Sequence, residues 1–375
     1  MKIRSALLAF AVAGALSSTE TLAQNAYITN NASSNNVSVI DTRTNEVTAT
    51  VAVGAGPWGV AVSSDGRKVY TANWYYTVSV IDTATNAVTS IPNIWNGVGG
   101  NTIGIAVSRD GRRVYATNFY QQNVSVIDTA TNTVIAAIPV SGLPYLVAVT
   151  PDGRKLYVTD YCDSTLSVIS TVSNAVITTI SVVPSYSACA GGSVAVTPDG
   201  SKAYFASYNA NPAVISTATD TVTATIPLLY SSSVTVSPDG TRAYISAGNH
   251  VHGLDVATNQ FVFGSDYIGG PGGISVTPDN SRIYVVNAGW NAVMVVDAAT
   301  GAVAAPIPVG SEPLAFGNFI QPTPTFARTP GKSNCHGQSV SALAQQYGGL
   351  NNAAAALGYP SVSALQIAIE DYCEA

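Results

Sequence analysis

The chain writes nearly the same line three times: NVSVIDTRTNEV at 36–47, TVSVIDTATNAV at 77–88 and QNVSVIDTATNTV at 122–134. A line that recurs at a fixed period marks an array of like units, each burying its apolar face against its neighbours. The unit is about 40–47 residues long and is clearest at 103–140. Alternation predicts four strands there. Strand A is IGIAVS (103–108), strand B RVYATN (113–118), strand C VSVID (124–128) and strand D TVIAAIPV (133–140). Asp110-Gly111 makes the A–B turn, because glycine accepts positive φ. The aspartate ending strand C can accept backbone N–H groups of the next turn, which accounts for Asp41, Asp82, Asp128, Asp255 and Asp297. Ser170 and Ser216 take that place in two units.

Tyrosines on strand B count the units as seven: Tyr27, Tyr70, Tyr115, Tyr157, Tyr204, Tyr244 and Tyr284. Four-stranded units of this length predict an all-β, seven-bladed β-propeller. The segments AYITN, VYATN and LYVTD, with VSVIDT and AVTPDG, resemble the YVTN-type propeller repeat proteins of bacterial surface layers and periplasm. The resemblance covers about residues 26–320 and implies the fold rather than an activity. Relatives implied by it include lactonases, a streptogramin lyase and quinoprotein dehydrogenase subunits, but no catalytic residue of theirs matches here. The first unit starts at strand B, whereas LAFGNF (314–319) is a strand A with no strand B after it. One blade is therefore expected to hold both ends and close the ring, leaving no open sheet edge.

A four-stranded meander puts its A–B and C–D turns at one end and its B–C and D–A loops at the other. The first end collects Arg43, Arg67, Lys68, Arg109, Arg112, Arg113, Arg154, Lys155, Lys202, Arg242 and Arg282, interleaved with the turn aspartates. It is read as a solvated rim. The second end is aromatic. Trp58 and Trp95 are expected in D–A loops, and Trp74 and Trp290 in B–C loops. Tyr75, Tyr76, Phe119, Tyr120, Tyr145 and Tyr161 complete the ligand-binding candidates, with Tyr186, Tyr208 and Tyr230 nearby. Variable loops on a repeated scaffold are where recognition concentrates, and aromatic side chains supply stiff contact area with a polar handle.

Residues 1–23 read as a signal peptide: Lys2 and Arg4, an apolar run from Ala6 to Leu16, and small residues before Gln24. The run is too short to span a bilayer, so an exported chain without a transmembrane segment is expected, in the periplasm, at the cell surface or in the medium. Export permits disulfides. Of three possible pairings, position favours Cys162–Cys189 on the aromatic end and Cys335–Cys373 around the tail. The propeller is expected over 24–320, a Pro-rich linker over 321–334, and a small helical, disulfide-stapled module over 335–375. SVSAL opens an Ala- and Leu-rich run at 339 and again at 361, and Val362, Leu365 and Ile369 share one helical face. The tail is similar to short C-terminal modules of exported proteobacterial proteins.

Removing the leader's Lys2, Arg4 and Glu20 takes the net charge from −6 to −7, which speaks against nucleic acid as partner. His250 and His252 form an H-x-H with no evident third ligand, and His336 follows Cys335 outside any C-x-x-C-H, so neither a metal site nor a cofactor is expected. No G-x-S-x-G, Walker loop or H-E-x-x-H occurs. The sequence points to a monomeric, non-enzymatic propeller that binds a glycan or a cell-envelope protein through its aromatic end. The alternatives are a hydrolase or lyase using Asp160, Asp163, Glu312 or His250 at the channel mouth, and a purely structural surface-layer role.

Overall fold

The computed structural model describes residues 24–31, 34–92, 101–163, 165–182, 189 and 191–322, with scattered positions between 339 and 369. The strands form seven antiparallel meanders of three or four strands, in a ring. Blade 3 shows the pattern: strand A is Thr102–Val107, B Arg113–Asn118, C Asn123–Asp128 and D Thr133–Pro139. Blades 2 and 4 start at Pro57 and Pro144, and blades 5, 6 and 7 at Gly192, Ser231 and Ile274.

Burial follows strand position. Strand B of blade 3 is buried from its second residue onward, because both of its faces meet neighbouring blades. Strand D alternates between exposed and half-covered over Thr133–Ala137, as the outer edge. The apolar cores lie between blades. Tyr115, Val124 and Val126 of blade 3 pack with Val147, Leu156 and Val158 of blade 4.

The turns work as the repeat requires. In the A–B turns Thr150 donates its hydroxyl to Asp152 Oδ1 at 2.6 Å, and the same carboxylate oxygen accepts Arg154 N–H at 3.0 Å. The pattern recurs at Ser63–Asp65, Ser108–Asp110, Thr197–Asp199, Ser237–Asp239 and Thr277–Asp279. In the C–D turns Asp128 accepts the N–H groups of Ala130 and Thr131, as Asp82 and Asp297 do in theirs. Asn45, Asn86, Asn132, Asn174 and Asn259 then take the left-handed conformation that asparagine tolerates.

Closure brings both ends of the propeller into blade 1. Its strands B, C and D are Asn25–Asn30, Asn36–Asp41 and Glu46–Ala52. Residues 313–320 run along the inner side of Asn25–Asn30, with bridges Ala26–Ile320 and Asn30–Pro313. Tyr27 N–H donates to Phe319 C=O at 2.9 Å, and Leu314 N–H to Thr29 C=O at 3.0 Å. The regular strand expected over 314–319 is instead a kinked one, joined by isolated bridges, with positive φ at Ala315 and Gly317. The physical reason is that it serves three partners. Phe316 and Asn318 C=O also accept from Val60 and Val62 of blade 2, and Leu314 C=O accepts from Gly273 of blade 7.

The innermost strands enclose a central channel with a cavity of about 520 Å³. In the tail, positions 339, 340, 343, 350, 351, 354, 362, 363, 365, 366 and 369 have helical backbone, with Leu343, Ala354, Leu365 and Ile369 buried. The leader, the segment 323–338 and the expected Cys335–Cys373 bridge lie outside the described residues. No helix among the described residues is long and apolar enough to cross a membrane.

Candidate functional site

The three letters after the hydrophobic start of each strand B explain how the aromatic end is held. Thr117 accepts Gly104 N–H at 2.8 Å within blade 3 and donates to Tyr145 C=O of blade 4 at 2.7 Å. Thr29 does the same between Ala315 N–H and Trp58 C=O, and Thr159 between Leu146 N–H and Gly192 C=O. The asparagine that follows ties its own blade: Asn118 Nδ2 donates to Asn123 Oδ1 and Ser125 Oγ, and Asn73 to Thr77 and Ser79. The conserved-looking polar letters of the repeat thus bind strand to strand and blade to blade. They also fix the backbone of Trp58 and Tyr145.

Trp58 and Tyr145 differ from the sequence expectation. Each is the second residue of a strand A, Pro57–Val62 and Pro144–Val149, rather than part of a D–A loop. Both strands carry a bulge just after the aromatic residue, so the inner strand begins earlier than its regular alternation suggests.

From there one aromatic cluster spans blades 2 to 4. Trp58 stacks on Trp74 with centroids 5.3 Å apart. It also meets Tyr145 edge-on and Phe316 of the closing segment, each at 6.3 Å. Tyr145 contacts Tyr161 at 5.2 Å, Tyr161 contacts Phe119 at 5.3 Å, and Phe119 contacts Tyr120 at 5.0 Å. Phe119 is buried, Trp58, Trp74, Tyr145 and Tyr161 are half-buried, and Tyr120 stands 62% exposed at the rim. Tyr75 is exposed on the same B–C turn as Trp74, where Tyr76 takes a positive φ of 64°. Burial, with Tyr161 adding a smaller effect, pushes the Tyr145 hydroxyl far above its ordinary value, so it stays a neutral donor.

Trp290 is not in this cluster. It lies against Tyr267, which in turn meets His250. Trp95 and Tyr186 lie outside the described residues. Tyr208 and Tyr230 form a separate exposed pair at 5.1 Å. Phe316 and Tyr267 were missed in the sequence. The first sits in a segment read only as a strand, and the second has no counterpart in the other units.

A disulfide joins Cys162 to Cys189 across 27 positions, linking the B–C loop that follows Asp160 to the connection into blade 5. Asp160 holds that loop. Its carboxylate accepts Leu143 N–H at 2.6 Å, Cys162 N–H at 2.8 Å and Asp163 N–H at 2.6 Å, and the residue is buried. Asp163, Asp266 and Glu312 are exposed, and His250 hydrogen-bonds through Nδ1 to Ser265 C=O. No side-chain hydrogen bond joins any two of these groups among the described residues. His250 and His252 have centroids 6.4 Å apart, and burial holds the basicity of His252 below its ordinary value, with His250 adding to it. No group of three or more His, Cys, Asp or Glu suited to a metal ion occurs among the described residues.

The opposite end is occupied by contacts within the protein. Lys155 reaches Thr217 C=O and Asp220 of the next blade, and Lys202 reaches Val256 C=O. Arg113 pairs with Asp128 and Arg242 with Asp255.

Residues 22–155 match a family model described as the cytochrome D1 heme domain. Two solved structures are similar to the chain. One, titled Kuenenia stuttgartiensis hydrazine synthase, is 21% identical with a TM-score of 0.59, over 68% of this chain and 87% of that one. The other is a functionally unknown protein from Desulfotomaculum acetoxidans DSM 771, 15% identical with a TM-score of 0.65, over 78% and 100%. No curated protein matches. At these identities the likeness is one of fold: a seven-bladed propeller related to cytochrome D1 and YVTN-like propellers. A haem does not fit the residues present. Its iron takes axial His, Cys, Met or Tyr. The described residues lining the channel include none of these, and residues 22–155 contain no His, Cys or Met, their tyrosines lying outside the channel lining.

Proposed function

We propose that the chain is an exported, non-enzymatic binding propeller whose aromatic cluster on blades 2 to 4 receives a neutral glycan of the cell envelope. The observation that carries the reading is the continuity of Trp58, Trp74, Tyr145, Tyr161, Phe119 and Tyr120, uncharged and mostly half-exposed at one mouth of the ring. Flat aromatic faces cover the apolar faces of sugar rings, while phenolic and indole groups supply hydrogen bonds at little conformational cost. The buried, fully hydrogen-bonded Asp160 supports a structural role for that carboxylate rather than proton transfer. The exported location rests on the leader-like start of the sequence.

The test is titration of the mature protein with neutral envelope oligosaccharides, read by tryptophan fluorescence and calorimetry. Trp74→Ala is expected to weaken binding about tenfold or more, as loss of an aromatic anchor does. Trp290→Ala, in its separate patch, is expected to leave it unchanged. Equal affinity for wild type and a folded Trp74→Ala/Tyr120→Ala variant overturns the site. Saturable binding of an envelope protein at the same residues, with no glycan binding, overturns the ligand class.

A further inference from the structure

The ring has a second mouth, and its seven blades do not treat it alike. In the A–B turns of blades 3 to 7 the residue before the aspartate stands at the channel rim. Blades 4 to 7 place Pro151, Pro198, Pro238 and Pro278 there, and Pro322 lines the wall where the chain leaves blade 1. Blade 3 places Arg109 at the same repeat position. Among the described residues Arg109 is the only charged one that lines the channel. Its guanidinium is exposed and makes no ion pair or side-chain hydrogen bond among the described residues, unlike Arg113 at the end of the same turn and Arg242 in blade 6.

Behind the rim the wall is the edge of the inner strands, polar and apolar in about equal part, whose Val, Ala and Ile side chains also pack into the cores between blades. Among the described residues it contains no carboxylate, imidazole or thiol. The volume, about 520 Å³, falls within the ~300–1,000 Å³ usual for small-molecule sites. Phe316 stands at the far end of the wall, where its ring also touches Trp58 and Tyr145.

We propose that the channel is a binding site for an aliphatic carboxylate, with its chain among the inner strands and its head group on Arg109. A planar guanidinium matches a carboxylate with two parallel hydrogen bonds, and an unpaired one at an apolar opening favours a ligand that brings its own anion. Asp110 and Asp152 flank Arg109 but do not line the channel. Each is engaged by its own turn, through Ser108 and Arg112 N–H, and through Thr150 and Arg154 N–H. The head-group end of the site lies opposite the aromatic mouth, and Arg109 takes no part in the glycan reading.

The experiment is calorimetric titration of the mature protein with decanoate, and with decanol as the uncharged probe of equal length. Decanoate is expected to bind one per chain, and Arg109→Gln to weaken it about tenfold or more, the scale of one lost charge-assisted hydrogen bond. Arg109→Lys, which keeps the charge but not the fork, is expected to recover only part of the affinity, and decanol binding to be the same in all three proteins. The proposal is overturned if decanoate fails to bind wild type at millimolar concentration. Equal decanoate affinity in wild type and Arg109→Gln overturns it as well, as does decanol binding as tightly as decanoate.

Discussion

At the scale of single residues, the repeat's consensus reads as a wiring scheme. Threonine on strand B satisfies one amide of its own blade and one carbonyl of the next. The tyrosine two residues earlier also reaches forward: Tyr157 donates to Asp220 at 2.5 Å, Tyr204 to Asn259 at 2.8 Å, and Tyr284 to Asn45 across the closure. Burial pushes the Tyr204 and Tyr284 hydroxyls up to about 12, so they remain donors through the physiological range. Thr117→Val keeps the shape of the side chain but strands Gly104 N–H and Tyr145 C=O in a buried seam. It is expected to cost about 1–3 kcal/mol, measured by urea unfolding. Much of this was visible in the sequence as recurring letters, but their direction was not. A one-letter repeat does not say whether a hydroxyl serves its own blade or the next, because that depends on a bulge in strand A that brings an unpaired amide within reach.

At the scale of the element, strands B, C and D were legible because their signals are local. Alternation, Asp-Gly turns and a left-handed asparagine set their bounds, and strand B of blade 3 falls where the sequence reading puts it. Strand A was less legible at its start. Pro57 and Pro144 look like loop residues, and the strand is irregular just beyond them, so Trp58 and Tyr145 were assigned to loops. The A–B turns carry a pH dependence. The Thr197 hydroxyl first, then Ser201 N–H, hold the Asp199 carboxyl below its ordinary value, and Thr150 and Ser108 lead the same effect at Asp152 and Asp110. A carboxyl whose folded pKa is lowered adds stability above its unfolded pKa, and that stability is lost as pH falls through the folded value. Thr197→Ala removes the leading donor. The wild-type advantage in unfolding free energy is therefore expected at pH 6 and to shrink as pH falls below about 4, as the carboxyl protonates. A gap that stays constant over that range contradicts the assignment.

At the scale of the whole molecule, the candidate surface was only partly legible. Trp58, Trp74, Phe119, Tyr120, Tyr145 and Tyr161 converge, because blades 2, 3 and 4 are consecutive and present their B–C loops side by side. Trp290 belongs to blade 7, and a list of aromatics by loop type does not carry that separation around the ring. Phe316 enters the cluster only because the ring closes. The closing segment buries Ala315, Phe319 and Ile320 and supplies the inner edge of blade 1. A chain ending at residue 312 is expected to lose cooperative thermal unfolding and to associate through the bare edge of Asn25–Asn30, read by calorimetry and light scattering. A sharp, concentration-independent transition in that truncated chain contradicts the role assigned to the closure.

That closure also sets a timetable. The first strand to be synthesised, Asn25–Asn30, receives its inner partner only from residues 313–320, the last stretch of the propeller to be made. At synthesis rates of roughly 5–20 residues per second, the amino-terminal blade waits tens of seconds for its missing strand. A ring fastened this late stays open for most of its production. Here the final stitch works as a latch set by the order of the sequence itself.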